Sequence, residues 1–268
     1  MTHKLVDIGV NLSNSRFQKD LPQVIERAIS AGVERVILTG TSEKESESVI
    51  QLCEQYNKTF PNMLQATVGI HPHDADQYNS ESLDVLEKMA RHENVVAIGE
   101  TGLDFNRNFS SKVNQVSAFE AQLELGAKLQ MPLFMHERDA ATRQLEILRD
   151  YRDHITGGVI HCFTGDRETL FAYLDLDLHI GITGWICDEK RGESLRQLVK
   201  NIPLNRLMIE TDAPYLLPKN MLNLPKNRRN EPAFLPWVLE GVAAAREESI
   251  DTIAEQTVAT TQQFFGLN

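Results

Sequence analysis

Short apolar runs alternate with longer segments of helical periodicity along the whole chain. Each of eight runs is rich in aliphatic and β-branched residues, and in the segment after it apolar residues recur every three or four positions. The predicted strands cover residues 5–10, 35–41, 64–71, 95–100, 131–136, 157–163, 178–185 and 206–212. The predicted helices cover residues 22–31, 44–57, 82–91, 112–129, 140–150, 167–174, 193–200, 233–246 and 250–265.

Eight strand–helix units in series predict a parallel α/β architecture. Eight parallel strands close a (β/α)₈ barrel of about 250 residues, whereas an open doubly wound sheet more often has about six strands. No predicted strand is followed by a glycine-rich dinucleotide motif or a P-loop. The sequence shows no linker and no internal repeat, so we expect a (β/α)₈ TIM-type barrel that forms a single domain over residues 1–268.

The chain is acidic, because 27 Lys and Arg residues stand against 38 Asp and Glu residues and give a net charge of −11. This charge argues against a broad nucleic-acid-binding surface, but it is compatible with a local cationic site or a bound divalent metal. The three cysteines have no paired spacing, and there is neither an export signal nor an apolar run of about 20 residues. We therefore expect a cytoplasmic protein without a disulfide framework or a membrane span.

Residues that can bind a metal lie at the carboxyl ends of five predicted strands. They are His71, Glu100, His136, His161 and Asp212. In a barrel these strand ends form the mouth, where the active site lies. A single histidine or carboxylate there is more often a packing or capping residue, but imidazoles and carboxylates that converge from several strands have the composition of a metal site. We expect a divalent cation at the mouth, with Glu100 among the groups that reach it.

The segment PKNMLNLPKNRRNEP, residues 218–232, concentrates positive charge directly after Asp212. It is either an exposed loop with solvated charges or a loop that holds phosphate groups beside the metal. Arg107 and Arg138 are weaker candidates for phosphate contacts, since ordinary ion pairs explain them equally well. Three aromatic residues near strand ends can either stack on bases or pack against the barrel, and these are Phe105, Trp185 and Tyr215.

Seven segments complete the pattern, and they read TVGIHPHD, AIGETGLDFNR, MPLFMHERDA, IHCFTG, IGITGW, IETDAPYLLP and RRNEPAFLP. In this order they resemble the TatD-type deoxyribonucleases, metal-dependent hydrolases of the amidohydrolase-like (β/α)₈ superfamily. The resemblance extends from Asp7 to the C-terminal helices. It implies hydrolysis of phosphodiester bonds by a 3′→5′ exonuclease on single-stranded DNA, with RNA as a further substrate and DNA repair as the cellular context.

The resemblance also implies a divalent metal, first Mg²⁺ and alternatively Mn²⁺ or Zn²⁺. The implied metal ligands are Glu100, His136, His161 and Asp212. Asp212 is expected to hold the attacking water and accept its proton, and His71 is expected to contact that water or the scissile phosphate. The expected substrate contacts are His71, Arg138, Arg228 and Arg229. Asp7 and Glu210 are expected to support the ligands from behind, and we expect the protein to be a monomer.

One segment departs from the family pattern. Many relatives carry an Asp-x-His-x-His run on the first strand, whose histidines bind a metal, whereas this chain has Asp7, Gly9 and Asn11 at the corresponding positions. We therefore expect one firmly bound metal and a second, weaker one that arrives with the substrate. A non-catalytic barrel that serves as a binding partner is the alternative that this departure supports.

A second alternative is an amidohydrolase or esterase that acts on a carbonyl substrate such as an aminoacyl-tRNA ester, because metal-activated water attacks carbonyl and phosphoryl centres alike. Two features favour phosphate. One is the basic segment 218–232, and the other is Glu100, which stands where amidohydrolases with a carboxylated-lysine bridge keep their lysine.

Overall fold

Eight parallel strands follow one another in chain order in the computed structural model of the protein, which describes residues 2–267. The strands are β1 Leu5–Val10, β2 Val33–Leu38, β3 Leu64–Val68, β4 Val95–Asp104, β5 Leu133–Arg138, β6 Gly158–Ile160, β7 His179–Ile182 and β8 Leu207–Ile209. Each strand pairs in parallel with the next. The terminal residues 1 and 268 of the expected domain lie outside the described part.

Helices separate the strands along the chain. They are α1 Leu21–Ser30, α2 Glu43–Tyr56, α3 Ser80–Ala90, α4 Lys112–Leu129, α5 Ala141–Tyr151, α6 Arg167–Asp175, α7 Glu193–Leu198, α8 Leu235–Ala243 and α9 Ile250–Phe265. Within residues 2–267 no helix is both long and apolar enough to cross a membrane. The predicted α/β barrel architecture is confirmed.

The last strand returns to the first through backbone hydrogen bonds just beyond the end of β8. The amide of Asp212 donates to the carbonyl of Gly9 at 2.9 Å, and the amide of Asn11 donates to the carbonyl of Ala213 at 2.8 Å. Strands β4 and β8 are four steps apart in this ring of eight, so their carboxyl ends face each other across the mouth.

Strand β4 departs most from its predicted bounds, because it continues to Asp104 instead of ending at Glu100. The extension pairs with β5, where Leu103 lies opposite Glu137. Gly102 allows this continuation: it has a φ of 131°, and a Cβ atom there would collide with the carbonyl oxygen of His136. Glu100 therefore lies within β4 and not at its end, and its side chain points into the mouth of the barrel.

Several other strands are shorter than predicted at their carboxyl ends. Strand β3 ends at Val68, and His71 caps a short 3₁₀ turn, Pro72–Gln77, three residues later. Asp212 likewise follows the end of β8 by three residues. His71 and Asp212 thus lie in loops, which strand periodicity cannot predict, whereas Glu100 and His136 lie within β4 and β5.

Apolar side chains fill the barrel below the mouth. The inner cluster includes Val6, Ile8, Ile37, Phe134 and Met208, all buried, while a larger cluster packs the strands against the helices. Each buried side chain of this size contributes about 1.5–3 kcal/mol. Because the interior is packed, the polar chemistry of the barrel is confined to its carboxyl-terminal end.

Candidate metal centre

One oxygen of Glu100 is the point on which three imidazole rings converge. Its Oε1 lies 2.8 Å from Nε2 of His161, 3.1 Å from Nδ1 of His136 and 3.3 Å from Nε2 of His71. These rings come from positions at the ends of β6, β5 and β3, so adjacent strands deliver them to the same place. Glu100 is only 6% exposed, which makes this a buried cluster of nitrogen and oxygen donors.

Burial and charge oppose each other in this cluster. Burial alone would raise the pKa of Glu100, but His161 and His71 and the hydrogen bonds from His136 and His161 hold that pKa well below its usual value. Burial would likewise lower the pKa of His161, yet Glu100 and Glu210 raise it well above its usual value. The pKa of His71 is lowered, chiefly by burial. The centre thus combines an ionised carboxylate with imidazoles held in different electrostatic states.

Asp212 approaches the cluster from the opposite side of the barrel. Its φ is 54°, a conformation that is uncommon for residues other than glycine and is frequent at functional sites. The side-chain amide of Asn11 donates to Oδ1 of Asp212 at 3.1 Å. Burial raises the pKa of Asp212 to about 7, and the nearby Glu210 and Glu100 add to this rise while His161 opposes it. A carboxylate in this position gains much from a nearby cation.

The hydrogen bonds of the three rings distinguish their roles. Nδ1 of His71 accepts from the backbone N–H of His73 at 3.0 Å, so its Nε2 carries the proton and donates towards Glu100. Nδ1 of His161 lies 3.3 Å from Oε2 of Glu210 and its Nε2 lies 2.8 Å from Oε1 of Glu100, so the ring, whose pKa is raised, donates to both carboxylates. A carboxylate behind a histidine in this way is typical of metal-ligating histidines.

His136 has a carboxylate on each side. Its Nδ1 faces Glu100, and its Nε2 lies 3.4 Å from Oδ2 of Asp104 without a hydrogen bond to any of residues 2–267. Asp104 also contacts Nε2 of His73 at 2.7 Å. Although burial would raise the pKa of Asp104, the nearby His136 ring, the backbone amide of Arg107 and the contact with His73 bring it below its usual value.

The distances between ligand atoms and the hydrogen bonds of the imidazole rings indicate different sets of metal ligands. Among residues 2–267, ligand atoms of His71, Glu100 and His136 lie within 4.8 Å of one another. This trio includes His71, which we expected to contact water or phosphate. It contains His71 and not Asp212 because β3, β4 and β5 are neighbours, whereas Asp212 comes from the end of β8. His161 fits a cation better than His71, because Glu210 holds its Nδ1–H while a cation at Glu100 would replace the proton on its Nε2. The mixed nitrogen and carboxylate donors fit a divalent metal.

Glu210 packs closely against Gly9, the first of the two strand-1 positions that depart from the family pattern. Its carboxylate is fully buried, and a Cβ atom added at Gly9 would collide with its Oε2. A Cβ atom at Gly181 would lie 2.8 Å from its Oε1. The space beside Gly9 is therefore filled by the carboxylate that contacts His161. Asn11, at the second histidine position, holds Asp212.

Asp7 lies below this layer. It is fully buried, and its carboxylate accepts from the amide of Thr211 at 2.8 Å and from the hydroxyl of Thr211 at 2.6 Å. Burial raises its pKa well above the usual value. Asp7 thus joins β1 to the segment that carries Asp212.

The side chains of His71, Glu100, His136, His161 and Asp212, together called the metal cluster because they could hold a metal, line a cavity of about 740 Å³. Arg107 and Arg138 line it, and a smaller cavity of about 230 Å³, lined in part by Arg228, adjoins it at Trp185, Arg191 and Leu216. Arg138 donates to the hydroxyl of Thr164 at 2.8 Å, whereas Arg107 and Arg228 are exposed and their side chains have no hydrogen bond or ion pair within residues 2–267. Exposed cations without such partners suit an anionic ligand.

Arg229 differs from its neighbour and does not line either cavity. It is 8% exposed, and its guanidinium donates at 2.7 Å to both oxygens of Asp20 and to Oε1 of Glu231. Arg27 also contacts both carboxylates, at 3.2 Å and 2.7 Å. The expected phosphate contact of Arg229 is therefore corrected, because its charge is already neutralised in a structural network.

The three aromatic residues expected near the mouth also differ in their surroundings. Trp185 and Tyr215 line the main cavity, but Phe105 packs against the core with the ammonium of Lys112 4.5 Å from its ring centre. Phe109, four residues later, lies in the cavity and is 65% exposed. His73 and Asp104 line the cavity too, and no role was predicted from the sequence for them or for Phe109.

His73 and Asp104 both lie inside sequence segments that carry the resemblance to the family. His73 belongs to TVGIHPHD and Asp104 to AIGETGLDFNR, so the motifs themselves could have indicated them. Phe109 lies outside the seven segments, and no feature of the sequence distinguishes it from a packing residue.

Comparison with known proteins agrees with this geometry. The family described as TatD related DNase matches residues 6–266. The "3'-5' ssDNA/RNA exonuclease TatD" of Rahnella sp. is 48% identical over 264 residues, which cover 98% of this chain and 99% of that protein. The protein of the same name from Salmonella typhimurium is 48% identical over 261 residues, covering 97% and 98% of the two chains.

Solved structures show the same relationship. A TatD family hydrolase from Entamoeba histolytica superposes with a TM-score of 0.90 at 25% identity and covers 99% of both chains. A TatD homologue from Escherichia coli K12 gives a TM-score of 0.89 at 27% identity and covers 100% of both chains. The chain therefore belongs to the family of TatD-related deoxyribonucleases.

Proposed function

We propose that this protein is a metal-dependent 3′→5′ exonuclease that hydrolyses phosphodiester bonds in single-stranded DNA and RNA. The observation that carries the proposal is the buried group of imidazoles around Glu100 in an open cavity that Arg107 lines, with Arg228 in the adjoining smaller cavity. The names of the relatives from Rahnella and Salmonella support the same activity. A cytoplasmic location, a monomeric state and a role in DNA repair remain predictions.

Four side chains are proposed to hold the metal, which we expect to be Mg²⁺. They are Glu100, His136, His161 and Asp212. The hydrogen bond of His161 to Glu210 and the contact of His136 with Asp104 turn one nitrogen of each ring towards Glu100. When bound, the cation lowers the pKa of water and neutralises the charge that develops on phosphoryl oxygens.

Asp212 is proposed to accept the proton of the attacking water. Its carboxylate faces the cluster, and Asn11 fixes the orientation of that carboxylate by a hydrogen bond. His71 presents an Nε2–H to the cavity and is proposed to donate this hydrogen to a phosphate oxygen once substrate displaces its contact with Glu100. Arg107, Arg138 and Arg228 are proposed to bind the phosphates on either side of the reacting one.

The non-catalytic alternative loses its support from the sequence, since Gly9 and Asn11 serve Glu210 and Asp212 in this structure. Cleavage of labelled single-stranded DNA, duplex DNA and RNA should be measured while Mg²⁺ is titrated. We expect 3′-end shortening of the single strands that EDTA abolishes. Asp212→Asn should retain the melting temperature and lose most of the activity. Activity that is unchanged in EDTA, or near-normal turnover by Asp212→Asn, would refute the mechanism.

A further inference from the structure

An exposed phenyl ring lies inside the cavity that holds the metal cluster. Phe109 is 65% exposed and belongs to the loop between β4 and α4. Its ring meets His73 edge to face, with 4.8 Å between ring centres and an interplanar angle of 83°. His73 in turn contacts His71, with 4.3 Å between their ring centres. The phenyl group is thus two ring contacts away from the proposed donor to the scissile phosphate.

The loop is firmly held beneath this ring. The hydroxyl of the buried Ser110 donates to the carbonyl of His73 at 2.8 Å and accepts from the amide of Asp76 at 3.0 Å. The side chain of Gln115 donates to the carbonyl of Ser110 at 3.0 Å. The backbone on the C-terminal side of Phe109 is therefore anchored, while its ring has no apolar cover. Such a pre-positioned surface binds a flat ligand at little entropic cost.

We propose that Phe109 stacks on a base next to the scissile phosphate and so contributes to binding of single strands. This inference rests on the proposed function of the same cavity. Stacking needs a free base face, which a single strand offers and the interior of a duplex does not. A phenyl ring has no hydrogen-bonding group, so it accepts any base and does not distinguish DNA from RNA.

The charges around the ring fit the same ligand. Arg107, two residues before Phe109, is exposed and lines the cavity, where it can contact the phosphate of the stacked nucleotide. Tyr215 lines the cavity from the loop after β8, on the opposite side of the mouth, and is 51% exposed. The metal cluster therefore lies between two exposed aromatic side chains, as expected for a path along which a strand with unpaired bases crosses the mouth.

The test is a double-mutant cycle between the protein and its substrate. Wild type, Phe109→Ala and Phe109→Trp are given a 5′-labelled oligothymidylate with Mg²⁺, and its variants carry one abasic site at the first, second or third position from the 3′ end. Base–aromatic stacking corresponds to roughly 5- to 150-fold in affinity. We expect a loss of this size in kcat/KM in two reactions. One is wild type with the substrate that is abasic at one of the three positions, and the other is Phe109→Ala with the normal substrate.

The two losses should not add, so Phe109→Ala should treat the abasic and normal substrates alike at that position. Phe109→Trp should retain wild-type behaviour. The control is Phe171→Ala, because Phe171 is 36% exposed on α6 and does not line the cavity. This variant should match wild type on every substrate. If the abasic site and Phe109→Ala lower kcat/KM independently, or if no abasic position matters, the stacking role is wrong.

Failure of the proposed function gives a different result. If wild type cleaves no oligonucleotide in Mg²⁺, the nuclease assignment fails, and the stacking role is then decided by fluorescence of an oligonucleotide that contains 2-aminopurine near its 3′ end. Quenching by wild type and Phe171→Ala, but not by Phe109→Ala, supports the base contact. Equal quenching by all three proteins, or none by wild type, overturns it.

Discussion

Two adjacent arginines of one loop should fail in different ways when their charge is removed. Arg229 is buried in a network with Asp20 and Glu231, whereas Arg228 is exposed beside the cavity. Arg228→Met and Arg229→Met remove the same charge at neighbouring positions, so each variant is the control for the other. The first should impair substrate binding, and the second should impair stability.

The cost of Arg229→Met follows from its contacts. Removing one partner of a buried ion pair costs about 3–5 kcal/mol. Arg27 still binds Glu231 at 2.7 Å and Asp20 at 3.2 Å after the change, so the two carboxylates keep part of their compensation. We therefore expect a loss of about 2–4 kcal/mol in the free energy of unfolding. For a domain of this size that lowers the melting temperature by about 5–15 °C.

Arg228→Met should change the melting temperature by less than about 2 °C, as is usual for exposed positions. It should instead alter the dependence of kcat/KM on salt, because each phosphate contact to a single strand contributes about 0.7 to the slope of log K against log salt. Thermal melts followed by circular dichroism measure the first quantity, and cleavage of labelled oligothymidylate at several KCl concentrations measures the second.

Two results would refute this reasoning. If Arg229→Met has the same melting temperature as wild type, the network around Asp20 does not stabilise the fold. If Arg228→Met keeps the wild-type salt slope, Arg228 does not contact phosphate. Equal loss of stability in both variants would show that burial does not distinguish the two positions.

Three further predictions concern the barrel itself. Gly9→Ala should lower stability by about 1–3 kcal/mol in thermal melts, because the new methyl group collides with Glu210, and unchanged melting would contradict this packing. Asp104→Asn should weaken metal binding about 10- to 100-fold in calorimetry with little change in melting, since it supports His136; equal affinity would remove it from the centre. Burial lowers the pKa of His179 to about 4. The stability that depends on a neutral His179 is therefore fully present above pH 6.5, and the free energy of unfolding falls by up to about 3 kcal/mol as the pH approaches 4. His179→Gln should show a smaller loss between pH 7 and pH 5, and an identical loss would contradict the assignment.

The alternation of strands and helices was sufficient to predict the barrel, since each element has a periodicity of its own. Helices α4 and α9 have the predicted bounds, because Ser111 and Ser249 cap them with local hydrogen bonds that sequence motifs encode. Strand β4 is different. Gly102 suggests a break, and only the pairing of this segment with β5 allows the strand to continue past it.

The site was harder to predict wherever partners are distant in sequence. Arg228 and Arg229 are identical side chains in the same loop, and what separates them is Asp20, 209 residues away from Arg229. Gly9 appeared to be a missing ligand because Glu210, which occupies the adjacent space, follows the last strand and is distant from Gly9 in the sequence. Residue type indicated the chemistry of the mouth, but the tertiary contacts decided which residues take part.

The close fit between Gly9 and Glu210 constrains how this protein could evolve towards a two-histidine first strand. A histidine at position 9 could enter only after the acidic side chain at 210 had shortened or turned away, and that earlier step would leave the Nδ1–H of His161 without an acceptor. A single Gly9→His exchange would therefore be a poor route to a second bound ion in this chain.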